Sequence, residues 1–236
     1  MHHAVLERWS RGGSPWHARD ARMKVLLLVA FLGAVATTPV ASAASLAGYG
    51  LVILAAAFLA GLPPGAVLLR AAVVLPFSAT FALVSLAGGD HQRAAALVIR
   101  SYLSAAAVLV IVGTTRMPKL LRALEWWRLP RFFVLVTQFL YRYLFVISEQ
   151  AQHMRLAALS RGGWRFRPAA GAVAVLFARS YARAEGVHHA MLARGFQGQM
   201  VLLTPARAGW RDWLFLLGGA AVLAALRFGL EGVWSR

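Results

Sequence analysis

The chain contains no cysteine, so disulfides and thiolate-held metals are excluded and the redox compartment leaves no mark. Acidic residues are scarce too: eight, against 25 lysines and arginines, for a formal net charge of +17. Only Lys24 and Lys119 are lysines, and neither follows a glycine-rich stretch. That excludes a P-loop, which needs a lysine behind glycine-rich backbone to cradle phosphates. A G-x-S-x-G elbow and an H-E-x-x-H helix are also missing. Charge of any sign is sparse, 14% of residues against about 25% in soluble domains. What fills the chain instead is apolar: 60% hydrophobic residues and a mean hydropathy of +0.64. This is the composition of a polytopic membrane protein. In a soluble chain such basicity would point to nucleic acid. Here it fits cytoplasmic loops rich in Lys and Arg, facing anionic lipid or an acidic partner.

Residues 1–24 form a basic segment with Arg8, Arg11, Arg19, Arg22 and Lys24, expected on the cytoplasmic side and without the pattern of a cleavable signal peptide. From Val25 to Leu69 no residue is charged. A membrane helix needs roughly 20 apolar residues, so helices are predicted over 25–41 and 45–62, with Pro39 between them. A third is predicted over 66–87, with Pro76 inside it and Arg70 snorkelling from its end, and a fourth over 94–115, carrying Arg100. Residues 25–115 thus read as a four-helix transmembrane region. Residues 116–211 hold 15 of the 25 basic residues and read as a cytoplasmic coupling region. Within it, 117–127 is amphipathic, suited to the interface plane. Arg131 to Arg161 lacks Gly and Pro, so one helix of about 46 Å can form there. Its Arg142 comes too early for a full crossing. A basic hinge, 162–168, precedes a second apolar-then-polar helix, and 212–236 supplies a last transmembrane helix that places the C-terminus outside. The expected fold is an all-α membrane protein. It has about five transmembrane helices and three cytoplasmic or interfacial ones.

One phrase occurs twice, 33 residues apart: Leu159-Ser160-Arg161-Gly162 and Leu192-Ala193-Arg194-Gly195. A cation in a helix's last turn offsets the dipole and a following glycine takes the left-handed conformation, so capping accounts for one copy. Two copies, each closing a long basic helix in the same region, point to docking. Small flanking residues let the tip approach another backbone, and a guanidinium binds a partner carboxylate through two bonds. Other chemistry is thinner. Glu149/His153 and Glu185/His188 have only one of the two Glu-x-x-His spacings that a di-metal carboxylate bundle needs. Met1-His2-His3 offers amine and imidazole nitrogen of the kind that holds copper or nickel, or is an incidental terminus. A membrane enzyme using the Glu/His cluster and a membrane-anchored nucleic-acid module remain the competing classes. The second lacks aromatic platforms on a strand surface.

Thr114-Thr115-Arg116-Met117-Pro118-Lys119-Leu120-Leu121-Arg122, Leu129-Pro130-Arg131, Tyr141-Arg142-Tyr143, and the two Arg-Gly phrases resemble the transmembrane T component of energy-coupling-factor (ECF) transporters, most closely its cobalt-type CbiQ branch. The resemblance covers most of the chain and is most specific over 114–198. It implies a non-catalytic subunit without cofactor or metal, joined to two ATP-binding subunits and a substrate-binding membrane subunit in the bacterial inner membrane. It implies two coupling helices crossing in an X, with Ser160, Arg161 and Gly162 docking one ATPase and Ala193, Arg194 and Gly195 the other. Tyr141, Arg142, Tyr143, Glu149 and Glu185 would support those helices. Ser160 stands where the family usually has alanine, which keeps a small side chain at that tip. Cobalt is the implied substrate, with nickel or a vitamin as alternatives.

Overall fold

A computed structural model describes residues 9, 12–14, 16–39, 43–127, 129–160, 166–198 and 209–229. Every regular element among them is helical. The chain divides into two units, 1–123 with 206–236, and 124–205.

The first unit is built on apolar helices with few charges. Helix α1 (Ala21–Thr37) starts four residues before the hydropathy suggests. The reason is a cap invisible to composition: the Asp20 carboxylate accepts from the Arg22 backbone N–H at 2.9 Å, satisfying a first-turn donor. Helix α2 (Ala43–Leu59) is followed by α3 (Pro64–Ala71), a 3-10 turn (Ala72–Val74) and α4 (Leu75–Ala87). The third predicted span is therefore one helix interrupted. Pro76 has no N–H for the Ala72 carbonyl and its ring crowds that group, which tightens the turn ahead of it. Helix α5 (His91–Gly113) begins three residues early, after the left-handed Gly89. It is the hub of the unit, packing on α1, α2, α3 and α4, while α9 (Trp210–Ala224, extended by a π turn through Gly229) packs on α1. The core joins Phe31, Val35, Tyr49, Leu103 and Leu223 to alanines 57, 60, 71 and 106. Those small residues let helix backbones approach where no water is available to drive association.

Charged side chains in this unit tie off helix ends. Arg100 donates to the carbonyl of Thr38 and Arg227 to that of Thr37 at 3.0 Å, so two helices serve the open C-terminus of α1. Arg70 lies with its guanidinium carbon 4.4 Å from the Trp9 ring centroid, a cation–π contact where snorkelling was expected.

Helix α6 (Met117–Trp126) is the short amphipathic helix, with Leu121 and Ala123 buried and Lys119 exposed. The second unit contains α7 (Arg131–Ser160) and α8 (Phe166–Ala193), packed against each other. Helix α7 runs 30 residues unbroken, as its lack of Gly and Pro predicts. Helix α8 starts inside the predicted hinge, since Pro168 falls in its first turn, where no N–H is needed. By length and composition, Pro64–Ala87, α5 and Phe132–Ser160 are long and apolar enough to cross a membrane, so α7 qualifies on those grounds despite Arg142. The protein is an all-α membrane protein.

Candidate functional site

The end of α8 is a Schellman motif. Gly195 N–H donates to Leu192 O at 2.9 Å and Phe196 N–H to Met191 O at 3.0 Å, with Gly195 at φ +75°. Arg194 is therefore the C-cap residue, and its side chain is exposed, as are Ala193 and Gly195. A Cβ on Gly195 would meet nothing within 4 Å, so glycine is needed there for its backbone angle and not for space.

Met191 and Phe196, the residues paired by that motif, also line a cavity of about 440 Å³ between α7 and α8, together with Phe139, Tyr143, Ile147 and Val187. The cap that orients Arg194 thus continues into the packing of the two long helices. Tyr143 stacks on Phe139 one turn away, at 6.3 Å between centroids and 16° between planes. Tyr141 sits edge-on to Phe145 at 5.2 Å, and Arg142 is exposed.

At the end of α7, Ser160 is exposed and its hydroxyl donates to Ala157 O at 2.9 Å, back along its own helix. Arg161 and Gly162 lie outside the described residues. The second Arg-Gly phrase closes α8, at the opposite end of that helix from Phe166. A helix of 28 residues rises about 42 Å.

Glu149 and His153 share the rim of a second hollow with Arg179, whereas Glu185 is exposed on α8. Among the described residues no three His, Asp or Glu side chains come together as metal ligands, so Glu149, His153, Glu185 and His188 form no such set.

The sequence reading missed a group in the first unit. Lys24 is fully buried, and its ammonium donates to the Thr114 carbonyl at 3.1 Å and the Thr115 hydroxyl at 3.2 Å. These threonines open the Thr114–Arg122 phrase, so Lys24 fastens the start of α1 to the entrance of α6. A signal existed: Lys24 is the last charge before the 45-residue uncharged run that ends at Leu69. Nearby, His17 Nε2–H donates to the Trp9 carbonyl at 2.9 Å, and its Nδ1 lies 2.7 Å from the Ser14 hydroxyl, from which the neutral ring accepts. Burial, followed by the charges of Lys24, Lys119 and Arg116, lowers its pKa below 6.5, although the bond to Trp9 O acts in the opposite direction.

Comparison with known proteins agrees with these features. The family described as "CbiQ: Cobalt transport protein" matches residues 14–204. The "Cobalt transport protein CbiQ" of Rhodobacter capsulatus is 31% identical, over 94% of this chain and 97% of that protein. An apolar, all-α membrane protein accords with a membrane component of a transporter, and this chain belongs to the CbiQ cobalt transport protein family.

Proposed function

We propose that the chain is the coupling subunit of an ECF-type, ATP-driven cobalt importer. It passes conformational change in two separate ATPase subunits to a separate membrane subunit that captures the ion. It has no chemistry of its own, and ATP hydrolysis belongs to the partners. The N-terminal segment and 116–211 belong to the cytoplasmic side, where the basic residues collect, with α7 dipping into the membrane edge or lying along it instead of crossing.

The observation that carries this reading is the tip of α8. An exposed arginine stands at the C-cap of a 28-residue helix, held by a Schellman motif that continues into the α7–α8 packing. A force applied to such a tip moves a whole helix, because helix and cap share one set of contacts. The repeat of the phrase 33 residues away in sequence gives two tips for two ATPases, Arg161 for one and Arg194 for the other. Ser160 and Gly162, like Ala193 and Gly195, keep the approach clear. Tyr143 supports the pair by packing between α7 and α8; Tyr141, Arg142, Glu149 and Glu185 act from the helix flanks.

Co-expression with the ATPase partner and pull-down of wild type, Arg161→Glu, Arg194→Glu and the double variant tests the reading. The double variant loses the ATPase while remaining monodisperse on gel filtration. Undiminished capture by the double variant would reduce both arginines to helix caps.

A further inference from the structure

The first unit carries two hollows whose linings share stretches of chain. One is an apolar groove of about 450 Å³ lined by Leu27 and Phe31 of α1, Leu59 of α2, Ile111 of α5, and Gly218 and Val222 of α9. The other, about 190 Å³, is polar and lined by Arg19, Arg22, Lys119, Arg122, Asp20 and Asp212. Three stretches of chain run from one to the other. Trp16 lines the groove and Arg19, three residues on, the polar hollow; Ala21 and Leu28 lie two turns apart along one face of α1; Asp212 and Phe215 lie three apart on one face of α9.

The polar hollow is basic in effect. Its four cations outnumber its two acids, and the acids are already engaged. Asp212 accepts from the backbone N–H groups of Asp20 at 3.2 Å and Gly209 at 3.0 Å and lies 4.0 Å from Arg19, while Asp20 caps α1. Lys119 and Arg122 make no ion pair with any described residue. Along α9 the groove extends from Leu214 to Leu223, a rise of about 14 Å. That is about half of a ~30 Å hydrocarbon core, the depth of one leaflet.

We propose that this pair of hollows is a binding site for one anionic glycerophospholipid, with its phosphate against Lys119 and Arg122 and an acyl chain in the groove. The chemistry is complementary at both ends. Unpaired cations at the membrane surface attract a phosphodiester, and an apolar groove one leaflet deep takes a hydrocarbon chain. A partner's transmembrane helix does not satisfy both features, since it carries no phosphate and needs a span of the full bilayer. The lipid would join α1, α5, α6 and α9 as a structural ligand.

Native mass spectrometry of the full chain in detergent, with phosphatidylglycerol or phosphatidylcholine added, tests this. Wild type retains one phosphatidylglycerol at least about tenfold more tightly than phosphatidylcholine, a difference of about 1.4 kcal/mol. Lys119→Gln with Arg122→Gln removes that preference. Gly218→Leu, which enters open space in the groove, weakens retention of both lipids. Glycerophosphoglycerol, the headgroup without chains, does not displace the lipid from wild type, and this arm needs no variant. Equal retention of the two lipids, or displacement by the free headgroup, overturns the proposal; the latter makes the hollow a phosphate site only. Displacement by a synthetic transmembrane peptide but not by competing lipid assigns the groove to a partner helix and overturns it as well.

Discussion

The ammonium of Lys24 donates to the carbonyl of Thr114 at 3.1 Å, across 90 positions of sequence and with no solvent exposure. One bond therefore joins α1 to the last residues before α6. Replacing Lys24 with Met keeps the stem and removes both hydrogen bonds, at an expected cost of about 1–3 kcal/mol. Lys24→Arg keeps the charge but does not fit a fully enclosed slot. Both variants melt lower than wild type in detergent. Full stability in the arginine variant would mean that Lys24 acts only as a topology-setting charge.

Arg100 and Arg227 converge on adjacent carbonyls, Thr38 and Thr37, at the end of α1. Each replacement by Gln is expected to cost about 1–2 kcal/mol, because a charge-assisted bond to a helix end is lost. The pair serves one terminus, so the double variant departs from additivity by about 0.5 kcal/mol or more. A double-mutant cycle on melting temperatures measures it, and strict additivity would assign the two arginines to independent roles.

Gly195 at φ +75° has open space around it. Gly195→Ala therefore costs backbone strain alone, about 1–2 kcal/mol, and Gly195→Asn costs less. Fraying of the last turn of α8 follows, with ATPase capture weakened in the order Gly, Asn, Ala. Equal capture by all three would separate the Schellman motif from docking.

How much of this was legible depends on range. Helix α7 was readable to within a residue because its pattern is local: thirty residues without Gly or Pro. The early start of α1 was not, because hydropathy carries no sign of the Asp20 cap. Pro76 announced a disturbance, though not that it would resolve into a 3-10 turn ahead of the proline. The Arg194 tip was fully readable from Ala190 to Phe196, since a Schellman motif is made within one stretch. Its companion phrase was equally readable, but Arg161 and Gly162 lie outside the described residues. Lys24 was marked only by its place at the edge of the uncharged run, and its partners, 90 and 91 residues away, were hidden.

His17 gives a pH signature. Its folded pKa is lowered from 6.5, so the unfolded chain binds the proton more readily. The stabilising contribution is complete above the unfolded value and falls as the pH drops below it, down to the folded value. Melting temperature in detergent is expected to decrease from about pH 7 to about pH 5, and His17→Gln flattens that limb. A rise in stability over the same interval would mean that the imidazolium, not the neutral ring, is the form held by Ser14 and Trp9.

The most direct measurement uses the absence of cysteine, which lets one introduced thiol report without interference. Ser160→Cys and Ala193→Cys, each alone in the co-expressed assembly, are treated with a short bis-maleimide against an ATPase carrying one introduced surface cysteine. The account predicts a crosslinked product from both positions, with yields that change on adding ATP, and none from Gly89→Cys at the turn between α4 and α5. No product from either tip in an assembly that still co-purifies would contradict the central claim that these two helix ends are where the ATPases hold the membrane subunit.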